Sequence, residues 1–570
     1  MSDVAATLPP HAPIRRTARR TAQLTPMAWL ALAAAGFAML PIVAVAANLL
    51  LSPGDAWAHL WATTLPAILA NTALLLVGVG AGTLVLGVAC AWFVTMCRFP
   101  FSRALELGLL LPMAIPAYII GYAYTDLLQF AGPVQTALRD VFGWRRGDYW
   151  FPDIQSLGGA VAMLVLVLYP YVYLLARAAF LEQSVCVLEA SRVLGRNAWG
   201  AFARVALPLA RPAIAAGVAL ALMEALADFG TVQYFGVDTF TTAIYRTWFG
   251  MGNRIAASQL ATALLAFVLV LLWLERSSRG AARTHHTTRR YRPLAPLRLT
   301  GWHAAAAFAT CALPVLLGFV VPAIMLLRMA WREGDPLFAA RFAEYAGNSL
   351  ALASLAAAAT VALALALAYA RRMTPTPLVA GAVRVAGIGY AIPGSIVAVG
   401  ILVPLGLFDN ALDASLRATF GVSSGLLLSG TLVALVYAYV VRFLAVALGP
   451  VETGMAKITP AMDDVAASLG ARKPRVLRFV HMPLMGGSIL TAALLVFVDV
   501  LKELPATLIV RPFGFDTLAI RVYSLASDER LGQAATGSVA IVAAGLIPVA
   551  ILSWMIARAR PGAAATARAR

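Results

Sequence analysis

Twelve apolar runs decide most of what this chain can fold into. They cover residues 27–51, 71–96, 105–130, 157–181, 209–229 and 255–274, then 302–329, 346–370, 379–407, 426–448, 489–504 and 534–555. A bilayer core about 30 Å thick takes about 20 helical residues at 1.5 Å each, and only the eleventh run falls short. Hydrophobic residues make up 61% of the 570 and charged residues 12%, too few charges to cover a water-facing surface of this size. Ala, Leu, Val and Gly dominate the runs without strand-like alternation, which predicts packed helices and not a barrel. The expected fold is therefore all-α integral membrane, with about twelve transmembrane helices.

The net charge of +18 is unevenly placed. With the N-terminus inside and the sides alternating, 31 Lys/Arg and 8 Asp/Glu fall on the inner side, against 13 and 18 outside. The positive-inside rule then predicts two cytoplasmic termini in a bacterial inner membrane. No aromatic-interleaved basic domain is left over, so the expected partner is lipid and not nucleic acid. Arg19-Arg20, an apolar run and Ala44-Val45-Ala46 resemble a cleavable signal peptide. Removing that run would invert the charge asymmetry, so it is read as an uncleaved first helix. Cys90, Cys97, Cys186 and Cys311 show no pairing or metal spacing and read as buried small hydrophobes.

The chain repeats itself. Asn71-Thr72-Ala73-Leu74 recurs as Asn348-Ser349-Leu350-Ala351, and Ile115-Pro116 as Ile392-Pro393, both 277 residues on. Tyr169-Pro170-Tyr171 is echoed by Tyr437-Ala438-Tyr439, and Leu194-Gly195 with Pro208 by Leu469-Gly470 with Pro483. Six helices per half is an even number, so the halves share one orientation: a parallel repeat, with a pathway expected at their interface. The predicted organisation is a cytoplasmic tail (1–26), a first half (27–275), a basic solvated linker (276–301), a second half (302–557) and a cytoplasmic C-terminal tail (558–570). The outer loop at 129–156 is expected to exceed its partner at 408–425. His285 and His286 in the linker have no nearby partner ligands.

Four carboxylates obey the same repeat. Glu224 and Asp228 lie in the fifth run, Asp499 and Glu503 in the eleventh, at one offset of 275. Spacing of four residues predicts that each pair shares a helix face. Acidic groups in membrane helices are costly and face a cavity or a partner, and four hard oxygen donors suit a hard trivalent cation. Outer-surface solvation, or neutralisation of Asp499 by Lys502, would also account for them. Tyr118, Tyr122, Tyr124, Tyr169, Tyr171 and Tyr173 supply further oxygens, but are expected mainly as interfacial anchors. Trp144, Tyr149, Trp150 and Phe151 on the long outer loop suit either a protein contact or the aromatic belt.

No phosphate-binding G-x-x-x-x-G-K-[ST] sequence is present. Gly78, Gly80 and Gly82 fall inside an apolar run and read as packing glycines. The specific motifs are two loops on the basic side. One contains Glu189, Ala190 and Gly195, followed by Pro208; the other contains Asp464, Ala466 and Gly470, followed by Pro483. A carboxylate in the first turn, small residues for close approach and a terminating glycine describe a short docking helix. These loops resemble the E-A-A-x-x-x-G motif of ABC importer permeases. That resemblance implies the type I ABC importer permease fold, with two cytoplasmic ATPase subunits docking on the loops and a periplasmic binding protein delivering substrate. ATP would be used by the partner subunits; this chain would bind no cofactor and catalyse no reaction. The second copy departs from the motif at Asp464 and Val465, which predicts an unequal grip on the ATPase.

Residues 111–118, 121–124, 148–152 and 168–177 look like the ferric-iron importer permeases, and the fused twelve-helix form is typical of that family. Ferric iron is thus the expected cargo. Thiamine and phosphonate permeases share the architecture, and an ion-coupled secondary transporter also uses intramembrane carboxylates. The acidic outer balance disfavours an anionic cargo.

Overall fold

The computed structural model describes residues 25–145, 147–182, 198–278, 297–334 and 338–558. Glu189, Ala190 and Gly195 of the first loop lie outside the described residues, as do both tails beyond 24 and 558 and most of the linker. Ten helices among the described residues are long and apolar enough to cross a membrane, and twelve spans result if two sharply bent pairs each count as one. The twelve follow the apolar runs in order. The third span is Ser102–Ala114 joined to Ala117–Phe142 at 93°, and the eleventh is Pro474–Leu484 joined to Gly486–Leu501 at 79°.

Proline explains why the repeat breaks where it does. Ile115 and Ile392, each preceding a proline, are extended (φ −102, ψ 120 and φ −95, ψ 124) after a turn of 3-10 helix, because a following proline ring disfavours the helical conformation. The run at 379–407 is consequently two elements, Pro377–Ala386 and Gly394–Phe420. This second helix continues through most of 408–425, which the sequence reading treats as loop. Single π turns at Phe202–Ala206 and Leu477–His481 precede Pro208 and Pro483, relieving the clash of each ring with the carbonyl four residues back.

The repeat is also legible in side-chain contacts. Asn71 Nδ2 donates to the Asp238 carbonyl at 3.1 Å, and Asn348 Nδ2 to the Asp516 carbonyl at 3.1 Å. The first helix of each half reaches across to the other half. Span one packs mainly along the second half, and span seven divides between the second to fourth spans of the first half and span twelve of its own; Tyr437 donates to the Phe37 carbonyl (2.7 Å) and Tyr124 to the Leu317 carbonyl (2.7 Å). Gly78 and Gly82 sit against Val161 and Val165, where a Cβ would press on a neighbouring helix, and Gly80 faces Leu222 at ordinary contact distance, the packing role expected of small residues in membranes. The end of the linker is not free chain: Leu297–Arg298 pair with Cys97–Arg98.

Candidate functional site

The fifth and eleventh spans end inside the protein. Asp228 leaves the helical conformation (φ −66, ψ 133) directly after Leu207–Ala227 and turns its carboxylate onto the next short helix, Gly230–Tyr234. Its Oδ1 accepts from Thr231 N (3.0 Å) and Val232 N (3.1 Å), and its Oδ2 from Thr231 Oγ1 (2.9 Å). Glu503 repeats this after Gly486–Leu501. It accepts from Ala506 N (3.0 Å), Thr507 N (3.1 Å) and Thr507 Oγ1 (2.8 Å) at the start of Pro505–Val510. Both carboxylates satisfy orphan N–H groups at a helix start. The expectation that each pair shares one helix face therefore fails, because each helix stops between its two members.

The four carboxylates nevertheless converge. Glu224, Asp228, Asp499 and Glu503 line one interior cavity of about 130 Å³, together with Tyr118, Tyr171 and Tyr390. Tyr171 lies near the middle of the 26-residue helix Leu157–Glu182, which sets the cavity about halfway along the bundle and away from both of its ends. Two cations share the space. Lys502 Nζ lies 2.9 Å from Asp499 Oδ1, and Arg442 Nη1 lies 3.1 Å from Glu503 Oε1. The first pair is legible as an i, i+3 spacing; Arg442 is not, because it stands alone in an apolar run. Among the described residues no three His, Cys, Asp or Glu side chains stand close enough to chelate a metal ion.

The tyrosines are not interfacial anchors. Tyr118, Tyr122, Tyr124, Tyr169 and Tyr173 are buried and Tyr171 is half-buried. Tyr169 and Tyr173 donate to the carbonyls of Leu109 (2.9 Å) and Glu106 (2.7 Å), so a buried hydroxyl here meets a backbone acceptor where a belt would meet water. On the outer loop, Trp144 stacks between Phe142 and Tyr149, while Trp150 is exposed.

The second docking loop forms the helix Pro460–Ser468, closed by Gly470 at φ +73. Ala471 N reaches back to Ala466 O and Gly470 N to Ala467 O, both at 3.0 Å, the pattern of a glycine-terminated helix. Ala466 is buried. Met462, Val465 and Leu469 are exposed at helical spacing, an apolar stripe open to a partner. Asp464 is exposed, and the acid at the helix start that faces inward is its neighbour Asp463, which the motif does not flag. Asp463 accepts from Arg372 Nε (2.8 Å) and bonds His481 Nε2 (2.6 Å). Arg372 ends the eighth span and also donates to the carbonyls of Met455 and Ile458, both at 3.0 Å. His481 is fully buried at the start of the eleventh span. Desolvation pushes the Asp463 carboxyl upward, but the hydrogen bonds from His481 and Arg372 together hold it below the usual carboxylate range.

Two six-span repeats, an interior charged cavity at their interface and a short glycine-closed helix with an exposed apolar stripe go with one class: this is the transmembrane permease of an ABC importer, with the type I fold. Residues 83–276 match the family of binding-protein-dependent transport system inner membrane components. That family comprises transport permeases of the inner membrane that work with a binding protein and an ATPase. The chain is 25% identical to the Fe(3+)-transport system permease protein FbpB 2 of Haemophilus influenzae, over 85% of this chain and 89% of that one. It is 21% identical to the ferric transport system permease protein FbpB of Actinobacillus pleuropneumoniae, over 86% of this chain and 72% of that one. The molybdenum transport system permease protein ModB of Escherichia coli is 28% identical over 34% of this chain and 87% of its own.

Proposed function

We propose that this permease moves ferric iron from a periplasmic binding protein into the cytoplasm, through the cavity lined by Glu224, Asp228, Asp499 and Glu503. The observation that carries the cation reading is the charge of that cavity, where four carboxylates meet two cations, Lys502 and Arg442. In a water-poor site such an excess favours a cationic cargo strongly. Likeness to the ferric permeases along both halves supports iron in particular. Two ATPase subunits dock on the loops around Glu189–Gly195 and Asp464–Gly470, use the ATP and alternate access to the cavity. This chain binds no cofactor and performs no chemistry, and the basic inner balance supports two cytoplasmic termini.

A second reading has its own observation. Lys502 and Arg442 would suit an oxyanion, and the molybdenum permease is similar to one half's length of this chain. Uptake by the complete complex in proteoliposomes separates the two. Radiolabelled ferric iron should accumulate with ATP inside and binding protein outside, and excess molybdate should not compete. Accumulation of molybdate without iron would overturn the proposal.

A further inference from the structure

The repeat supplies the cavity with matched carboxylates but with unmatched cations. Both cations come from the second half. The position equivalent to Lys502 is Ala227, and the one equivalent to Arg442, by the offset that relates Tyr169 to Tyr437, is Leu174. Asp499 and Glu503 thus each have a cation from their own half. Among the described residues neither Glu224 nor Asp228 has an ion pair with a cation of its own half.

The two cations are held differently. Arg442 is built in: its side chain is 10% exposed and packs beside Gly394, where a methyl group would collide with both its guanidinium and Glu503. Lys502 has one ion pair, and its side chain is 32% exposed, in a residue that lines the same cavity as Tyr171 and Glu224. Lysine is a compact charge on a flexible stem, able to move where a forked arginine is fixed. A second observation marks the cavity that Lys502 lines as a place for a ligand, on its Glu503 and Asp228 side. Tyr118 lines the same cavity, is buried to 4% exposure, and its hydroxyl has no hydrogen-bond partner. Burying a hydroxyl without a partner is costly, and an incoming cation would give that oxygen one.

We infer that Lys502 is a tethered counter-ion, which occupies the cation position between Asp499 and Glu224 in the empty path and is displaced by the cargo. The inference rests on the cation reading of the cavity. Its physical content is competition. A cargo cation gains Asp499 only by releasing the ammonium, and the ammonium returns when the cargo leaves. A path needs binding strong enough for entry and weak enough for exit, and a resident lysine meets both needs without a second protein. The paired carboxylate also stays neutralised between transport cycles, which the membrane interior demands.

The test is binding of terbium(III), an oxygen-seeking trivalent probe excited through nearby tyrosines, to the purified full-length chain. Lys502→Met should bind terbium about tenfold or more tighter than the unaltered protein, since one unit charge is removed at close range. Lys502→Arg should stay near the unaltered protein, and Lys502→Met with Glu224→Gln should lose the gain. Iron uptake by the Lys502→Met complex should fall, because the cargo is held and not exchanged. Unaltered terbium affinity in a well-folded Lys502→Met would overturn the inference while leaving the ferric reading intact. If Lys502→Met fails to reach the membrane and Asp499→Asn restores it, Lys502 is a structural partner only and the inference also falls. If instead the unaltered complex carries molybdate, and Lys502→Met abolishes that uptake, the cation reading itself is lost.

Discussion

The two halves share a plan and differ in how they secure their charges. In the second half Glu503 caps a helix and also pairs with Arg442, and Gly394 makes room for that arginine. In the first half Asp228 caps its helix without a cation, and Ala117 stands where the repeat would place Gly394. The docking loops differ likewise. Asp463, Arg372 and His481 tie the second docking helix to the eighth and eleventh spans, and their first-half counterparts are Leu188, Thr95 and Ala206. Gene duplication gives two copies of a scaffold, but charge pairing is a property of individual residues and can be kept in one copy alone. The first half then offers the more available carboxylates, and the second the firmer frame.

The largest effect should come from the carboxylates. Glu503→Gln strands the buried Arg442 and weakens a cap, so it should destabilise the protein by about 3–5 kcal/mol. Asp228→Asn strands nothing, and asparagine caps nearly as well, so its cost should be about 1 kcal/mol or less. Thermal unfolding of the detergent-purified variants measures both, and adding Arg442→Met should recover much of the Glu503→Gln loss. Equal losses for the two single variants would break the comparison.

Coupling should show the next effect. Asp463→Ala releases the docking helix from two spans, and should lower binding-protein-stimulated ATPase activity and uptake about five- to tenfold. Leu188→Ala, at the matching first-half position, should change them much less. Because Asp463 is held below the usual carboxylate range, its contribution is complete above about pH 4 and is lost only as pH falls through its lowered value. The Asp463 carboxylate itself should therefore contribute no pH dependence between 6 and 8, so a titration of stimulated ATPase activity over that range should have the same shape in Asp463→Asn as in the unaltered protein.

How much of this was readable beforehand depends on which interactions are local. The spans, the repeat and the glycine that ends the second docking helix follow from runs and spacings, and the four carboxylates meet as their common offset implied. The break before Asp228 and Glu503 was missed because an i, i+4 rule assumes that the helix continues. Pro505, at the first turn of a new helix two residues after Glu503, was the available signal. Arg442 and Asp463 act across 61 and 91 residues of chain on Glu503 and Arg372, and no local pattern marks such partners. The tyrosines were misplaced because a belt and a hydroxyl-to-carbonyl interior use the same residue type.

Where the halves do match in contact as well as in sequence, their variants should match too. Asn71 and Asn348 each donate one hydrogen bond, 3.1 Å long, to the carbonyl of a loop aspartate, Asp238 and Asp516. Each asparagine is half-buried, so replacing it with alanine removes one neutral hydrogen bond and leaves a carbonyl that water can partly reach. The expected loss is about 1 kcal/mol for either variant. The sites are far apart and share no partner, so the double variant should lose about the sum. Thermal unfolding of Asn71→Ala, Asn348→Ala and the pair provides the control for the charged positions. A loss confined to one asparagine would mean that the asymmetry reaches the outer ends of the spans, and that the halves differ in stability throughout and not only in where their charges are paired.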